Sequence, residues 1–188
     1  REALSPEERE KYDIAAEAAE IAKEIQAMSD RDSVEYGAII YRDANGVITH
    51  TPLTPGTATT VPNMSLEGMP GWGSALALVH SHPAILFDAN YPEFRLHPTP
   101  YADWSAFNEM QRLIATDLVE NHQYTLEQAW DQANQFVQFV YGAADGPGTG
   151  NYDLYRYDDS DEGNQSKDSE SQIADAEKVD ANLGNCGG

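Results

Sequence analysis

The run from Ser74 to His80, Ser-Ala-Leu-Ala-Leu-Val-His, constrains the fold more tightly than any other part of the chain. It is short and apolar, and Pro83 follows closely. It therefore reads as a buried strand, halted by a residue that cannot donate to the ladder. Val34 to Arg42 is β-rich and reads as another strand. Asp43-Ala44-Asn45-Gly46 reads as a hairpin turn, with Asn-Gly supplying the positive φ, and Val47 to Thr51 as the returning strand. Val137 to Tyr141 and Tyr152 to Tyr157 read as closing strands around a Gly-Pro-Gly-Thr-Gly turn.

Helical signals separate these strands. Ser5-Pro6-Glu7-Glu8 supplies an N-cap, a proline at the first helical position and a capping-box Glu, opening a helix to about Met28. Ala15, Ala16, Ala19, Ile21, Ala22 and Ile25 recur in it at helical spacing. Ala102 to Val119 reads as a helix with Trp104, Phe107, Met110, Leu113, Ile114 and Leu118 on one stripe. Thr125-Leu126-Glu127-Gln128 is a second capping box and opens a helix to about Asn134. Thr54 to Gly73 reads as loop, with a short strand near Ala58 to Val61. Ala84 to Pro100 is Pro-rich and aromatic, and reads as a long ordered loop of the kind that is usually functional. Trp72, Trp104 and Trp130 are expected as core anchors. This order gives an α+β domain whose mixed β-sheet is flanked by helices. The expected division is an N-terminal helix over 1–30, the main domain over 31–157, and an acidic, disordered C-terminal tail over 158–188.

Thirty-two acidic residues against 11 basic ones leave a formal net charge of −21. That excludes a nucleic-acid partner, which needs clustered cations, and docking on anionic lipid. It is compatible with a basic protein partner. The single cysteine, Cys186, forms no disulfide framework within the chain. No apolar run approaches the ~20 residues of a membrane span, so no membrane insertion is expected. A chain beginning at Arg1 reads as a fragment or processed product, whose targeting signal would lie elsewhere.

The chemistry concentrates at His80-Ser81-His82-Pro83. Residues i and i+2 of a strand point the same way, so both imidazoles can face one ion. Neutral imidazole is a good zinc ligand. Asp103, at the start of the second helix, is the expected third ligand, because a helix start holds a side chain firmly. Asp88 lies nearer in sequence and is the alternative. Glu35 stands inside an apolar strand, where a solvent-facing position is common. Its other reading is a general base beside an activated water. His97 reads as a solvated loop residue, and His50 and His122 carry no assigned role. Ser81 points to the opposite face of the strand.

Together, Glu35 in Val-Glu-Tyr-Gly-Ala-Ile-Ile-Tyr-Arg, the His80-Ser81-His82-Pro83 run, and Pro98-Thr99-Pro100-Tyr101-Ala102-Asp103-Trp104 resemble the JAB/MPN metalloprotease superfamily and its JAMM motif. The closing strands to Tyr157 are similar as well. More narrowly, the chain resembles the JAB-like branch of bacterial polymorphic toxins and secreted effectors. The resemblance covers roughly Ser33 to Tyr157. It implies one Zn2+ held by His80, His82 and Asp103, with Glu35 as the catalytic base. The family's usual Ser, three residues before the Asp, is Pro100 here. Thr99 beside it is the candidate to assist catalysis at the oxyanion. The gap from His82 to Asp103 is longer than the family's, with an insertion around Phe87 to Tyr91.

The resemblance further implies a zinc metallopeptidase or isopeptidase acting on a protein or peptide substrate. It implies secretion or delivery into a target cell, and an immunity or adaptor protein as partner. The competing expectations are an inactive binding module on the same fold and a metal-dependent hydrolase of another bond.

Overall fold

The structure is a computed structural model that describes residues 4–58, 61, 63–83, 103–143, 152–158 and 176–180. Helix α1 spans Pro6–Asp32. Ser5 Oγ accepts from Glu8 N–H while the Glu8 carboxylate accepts from Ser5 N–H, so the expected capping box forms. The helix ends at Ser33 in the left-handed region, φ +54°. Strands β1 (Tyr36–Arg42), β2 (Ile48–His50) and β3 (Thr54–Pro55) follow, then β4 (Ala75–His82). Helices α2 (Asp103–His122) and α3 (Leu126–Ala133) separate β4 from β5 (Val137–Ala143), β6 (Tyr152–Tyr157) and β7 (Glu177–Val179). Among the described residues no helix is long and apolar enough to cross a membrane.

The strands form one sheet in the order β2-β1-β4-β5-β6-β7, with β3 also paired to β1. Among the described residues only β4 and β5 pair in parallel; every other strand pair there is antiparallel. The sheet is therefore mixed, and the fold is α+β with helices on both faces. Two cores sit on those faces. Ala38, Ile40, Ala77, Val79 and Phe139 pack with Ala18, Ile21, Ala22 and Ile25 of α1. Ile39, Leu78 and Val140 pack with Trp104, Phe107 and Ile114 of α2 and Ala129 and Ala133 of α3. Period-two alternation thus assigns each strand residue a side. His80 and His82 follow Leu78 onto the α2 side, and Gly37 and Glu35 follow Ile39 to the same side.

Several local expectations shift. The hairpin turn closes with Asp43 N–H donating to the Val47 carbonyl at 2.9 Å. Asp43 Oδ1 accepts from Asn45 and Val47 N–H groups, both at 2.8 Å. Within this turn Gly46 alone takes positive φ, +83°. The Asp43 side chain holds the turn in place of a second left-handed residue. Residues 59 and 60 of the short strand expected near Ala58 to Val61 lie outside the described residues; the two-residue β3 lies earlier, at Thr54–Pro55. Trp104 is a core anchor at 1% exposure, whereas Trp130 is 38% exposed. The reason is that α3 packs through its small residues Ala129 and Ala133, one turn apart. Inside the acidic segment, Glu177–Val179 pairs with β6, with Lys178 Nζ 2.8 Å from Asp153 Oδ1 and Val179 buried.

Candidate metal centre

Four side chains from three elements meet on the α2 face of the sheet. Glu35 precedes β1, His80 and His82 end β4, and Asp103 opens α2. One ligand atom from each lies within 4.8 Å of all the others. His80 and His82 bring their Nε2 atoms to 3.2 Å. Asp103 Oδ2 lies 3.5 Å from each of those nitrogens. Glu35 Oε1 is 3.7 Å from His82 Nε2. All four residues are buried, with exposures of 1% for Glu35 and His82, 2% for His80 and 6% for Asp103.

Local folding explains each placement. Gly37 pairs with His80 across the β1–β4 ladder. Glu35 lies two residues before Gly37 and His82 two after His80, so both project on the same side. Asp103 is fixed by its neighbours. Trp104 packs edge-on to Phe107 at 5.4 Å and to Tyr157 at 6.5 Å, and so nails the first turn of α2 to the sheet. A carboxylate in a helix's first turn also faces its positive dipole end.

The electrostatics are unusual for a buried site. Burial pushes the Glu35 carboxyl up to about 8, with Asp103 adding to the rise and His82 opposing it. Burial also disfavours charge on Asp103, but the His80 and His82 rings outweigh it and hold that carboxyl well below the usual range. Glu35 Oε2 and the Nδ1 atoms of both histidines are buried with no hydrogen-bond partner among the described residues.

This donor set fits a cation. Two nitrogens and a carboxylate oxygen are spaced 3.2, 3.5 and 3.5 Å apart. Tetrahedral ligands at roughly 2.0–2.1 Å from one ion stand about 3.3 Å apart. Two imidazole nitrogens facing each other at 3.2 Å either share a hydrogen, one ring as the Nε2–H tautomer, or both turn lone pairs to a metal ion. The buried Glu35, His80, His82, Asp103 group could therefore hold a metal ion.

Of the expected site residues, the structure thus brings Glu35, His80, His82 and Asp103 together. Thr99, Pro100, Asp88 and His97 lie outside the described residues. His50 sits on β2 with Nδ1 2.8 Å from the Thr51 carbonyl, and His122 ends α2 with Nε2 3.6 Å from Asp117 Oδ2. Neither belongs to the cluster. Ser81, on the opposite face as expected, makes a contact across the ladder that sequence pattern does not signal: its Oγ accepts from the Tyr36 N–H at 3.0 Å.

No protein-family model matches this chain, and neither a curated protein nor a solved structure does.

Proposed function

We propose that the chain is a zinc-dependent hydrolase of amide bonds, a metallopeptidase or isopeptidase of the JAB/MPN type. The observation that carries this reading is the buried meeting of two imidazoles and two carboxylates within 4.8 Å. His80, His82 and Asp103 would hold the ion. Three protein ligands would leave room at the ion for a water or substrate, as hydrolytic zinc sites require. Zinc held there supplies a Lewis acid that polarises a carbonyl and acidifies water.

Glu35 does the proton work. Its Oε1 faces the same point as the ligand atoms. It takes a proton from the attacking water and returns it to the leaving nitrogen. Without a metal, burial pushes its carboxyl up to about 8. A cation beside it would favour the charged form that takes the water's proton, while burial keeps the proton held until it is delivered. Asp103, kept ionised, supplies a permanent negative charge to the ion. The surrounding burial keeps bulk water from competing for these groups. Thr99 is proposed to assist at the oxyanion. Delivery as a secreted effector or toxin, with a protective partner protein, rests on the sequence resemblance.

One sequence observation favours a second reading. Pro100 stands where the resemblance expects Ser and has no hydroxyl to offer. An inactive binding module on the same fold would tolerate it.

Elemental mass spectrometry of the purified protein tests the proposal. Wild type and Glu35→Gln should carry near-stoichiometric zinc and His82→Ala should carry none. A wild type that takes up no metal when zinc is supplied refutes the hydrolase and leaves the binding module.

A further inference from the structure

β1 and β4 keep register only as far as Gly37 opposite His80. β4 continues beside β5, with Ser81 opposite Tyr141 and His82 opposite Gly142. The backbone of Glu35 turns the other way. Its N–H donates to the Thr57 carbonyl at 2.7 Å, and its carbonyl accepts from the Gly56 N–H at 2.8 Å. The strand that carries the ligands and the segment that carries Glu35 therefore part at the centre itself.

The Ser81 hydroxyl crosses that gap. Its oxygen accepts from the Tyr36 N–H at 3.0 Å, and Ser81 is fully buried. The Tyr36 N–H and the Glu35 carbonyl belong to one peptide plane. That plane is pinned at both ends, by Gly56 on one side and by the residue between the two histidines on the other. Two further contacts steady the same stretch: Ser29 Oγ donates to the Val34 carbonyl at 2.8 Å, and Tyr36 Oη donates to Asp32 at 2.6 Å. These tie the stretch to α1. Among the described residues, the Ser81 hydroxyl is the hydrogen-bonding group that ties this backbone to the strand bearing the ligands: besides accepting from the Tyr36 N–H, it donates to the Tyr36 carbonyl at 3.5 Å.

Resting on the metal-centre reading, we propose that Ser81 is a positioning residue, whose hydroxyl sets the distance between the Glu35 carboxyl and the ion held by its two neighbours. Removing the hydroxyl leaves the His80, His82 and Asp103 side chains intact. It removes one of the two hydrogen bonds that fix the Glu35–Tyr36 peptide, leaving the Gly56 contact alone to hold it, and leaves a buried N–H unpaired.

The test uses Co2+ as the bound ion and 13C-labelled glutamate carboxyls, with Glu35→Gln identifying the Glu35 signal. Paramagnetic relaxation of that signal depends on the sixth power of its distance from the ion. Ser81→Ala should bind Co2+ as tightly as wild type. A displacement of about 0.5 Å, the tolerance of a productive site, changes the Glu35 relaxation roughly twofold. Ser81→Thr, which keeps the oxygen, should return it to the wild-type value. If Ser81→Ala does not fold, Ser81→Cys carries the comparison, since a thiol is close in size and a weak acceptor. Co2+ bound with unchanged Glu35 relaxation in these variants overturns the positioning role and leaves the metal centre standing. Loss of Co2+ binding in Ser81→Ala and Ser81→Thr alike also overturns it, because Ser81 would then serve the ligands. No Co2+ uptake by wild type overturns the metal-centre reading itself, and the positioning role with it.

Discussion

Glu35→Gln should flatten the pH dependence of stability in the metal-free protein. The folded carboxyl titrates at about 8 against an ordinary 4.5, chiefly because it is buried. Between those values the folded protein keeps a proton that the unfolded chain has released, so folding weakens as pH rises. The favourable contribution is complete below the unfolded value, declines through the interval, and is gone above about 8. At about 1.4 kcal/mol per pH unit, the whole interval is worth on the order of 5 kcal/mol. From about pH 5 to pH 7 the wild type should lose roughly 3 kcal/mol that Glu35→Gln does not lose. Urea unfolding of both proteins in chelator at several pH values measures this directly. Titrating groups remote from Glu35 cancel in the difference, whereas His82 and Asp103 interact with it, so the slope belongs to Glu35 together with these neighbours. A difference that stays flat within about 0.5 kcal/mol over that range refutes the account of Glu35 as a carboxyl neutralised by burial. Saturating zinc should shrink the wild-type slope, since a cation beside the carboxyl favours its charged form.

Two further substitutions probe the frame around the centre. A Cβ at Gly37 would sit 3.1 Å from Met64 Cε and 3.2 and 3.3 Å from the Val61 methyls. Gly37→Ala should therefore cost about 1–3 kcal/mol in urea unfolding, because the stiff valine has to give way beside the His80 pair. Trp104→Ala removes a large, fully buried side chain next to Asp103. It should cost about 3–5 kcal/mol, and isothermal titration should show weaker zinc binding as the first turn of α2 loosens.

What the sequence makes legible here is local and periodic. The two histidines could be paired because a strand's period of two is fixed, and Pro83 dates the end of that strand. Asp103 could be placed because a helix start is a local signal. Glu35 was only half legible. Alternation gives its side of the strand, but whether that side meets water or protein depends on α2 folding over it, and that is a tertiary event. β7 was hidden for a related reason. Strand addition at a sheet edge uses backbone hydrogen bonds, and the charges of Glu177 and Lys178 find Arg156 and Asp153 on β6, so an acidic composition does not prevent it. Trp130 misled because residue size alone suggests an anchor, while a short helix can pack closer through Ala129 and Ala133. The Ser81 contact lay furthest from reach. It joins residues 45 apart in sequence, and nothing in Ser81's neighbourhood marks it except its position between two ligands. The ligand pair, the base and the third ligand arrive from separate elements. The centre therefore depends on how β1 and β4 part company, and that geometry is written in long-range hydrogen bonds that no local pattern encodes.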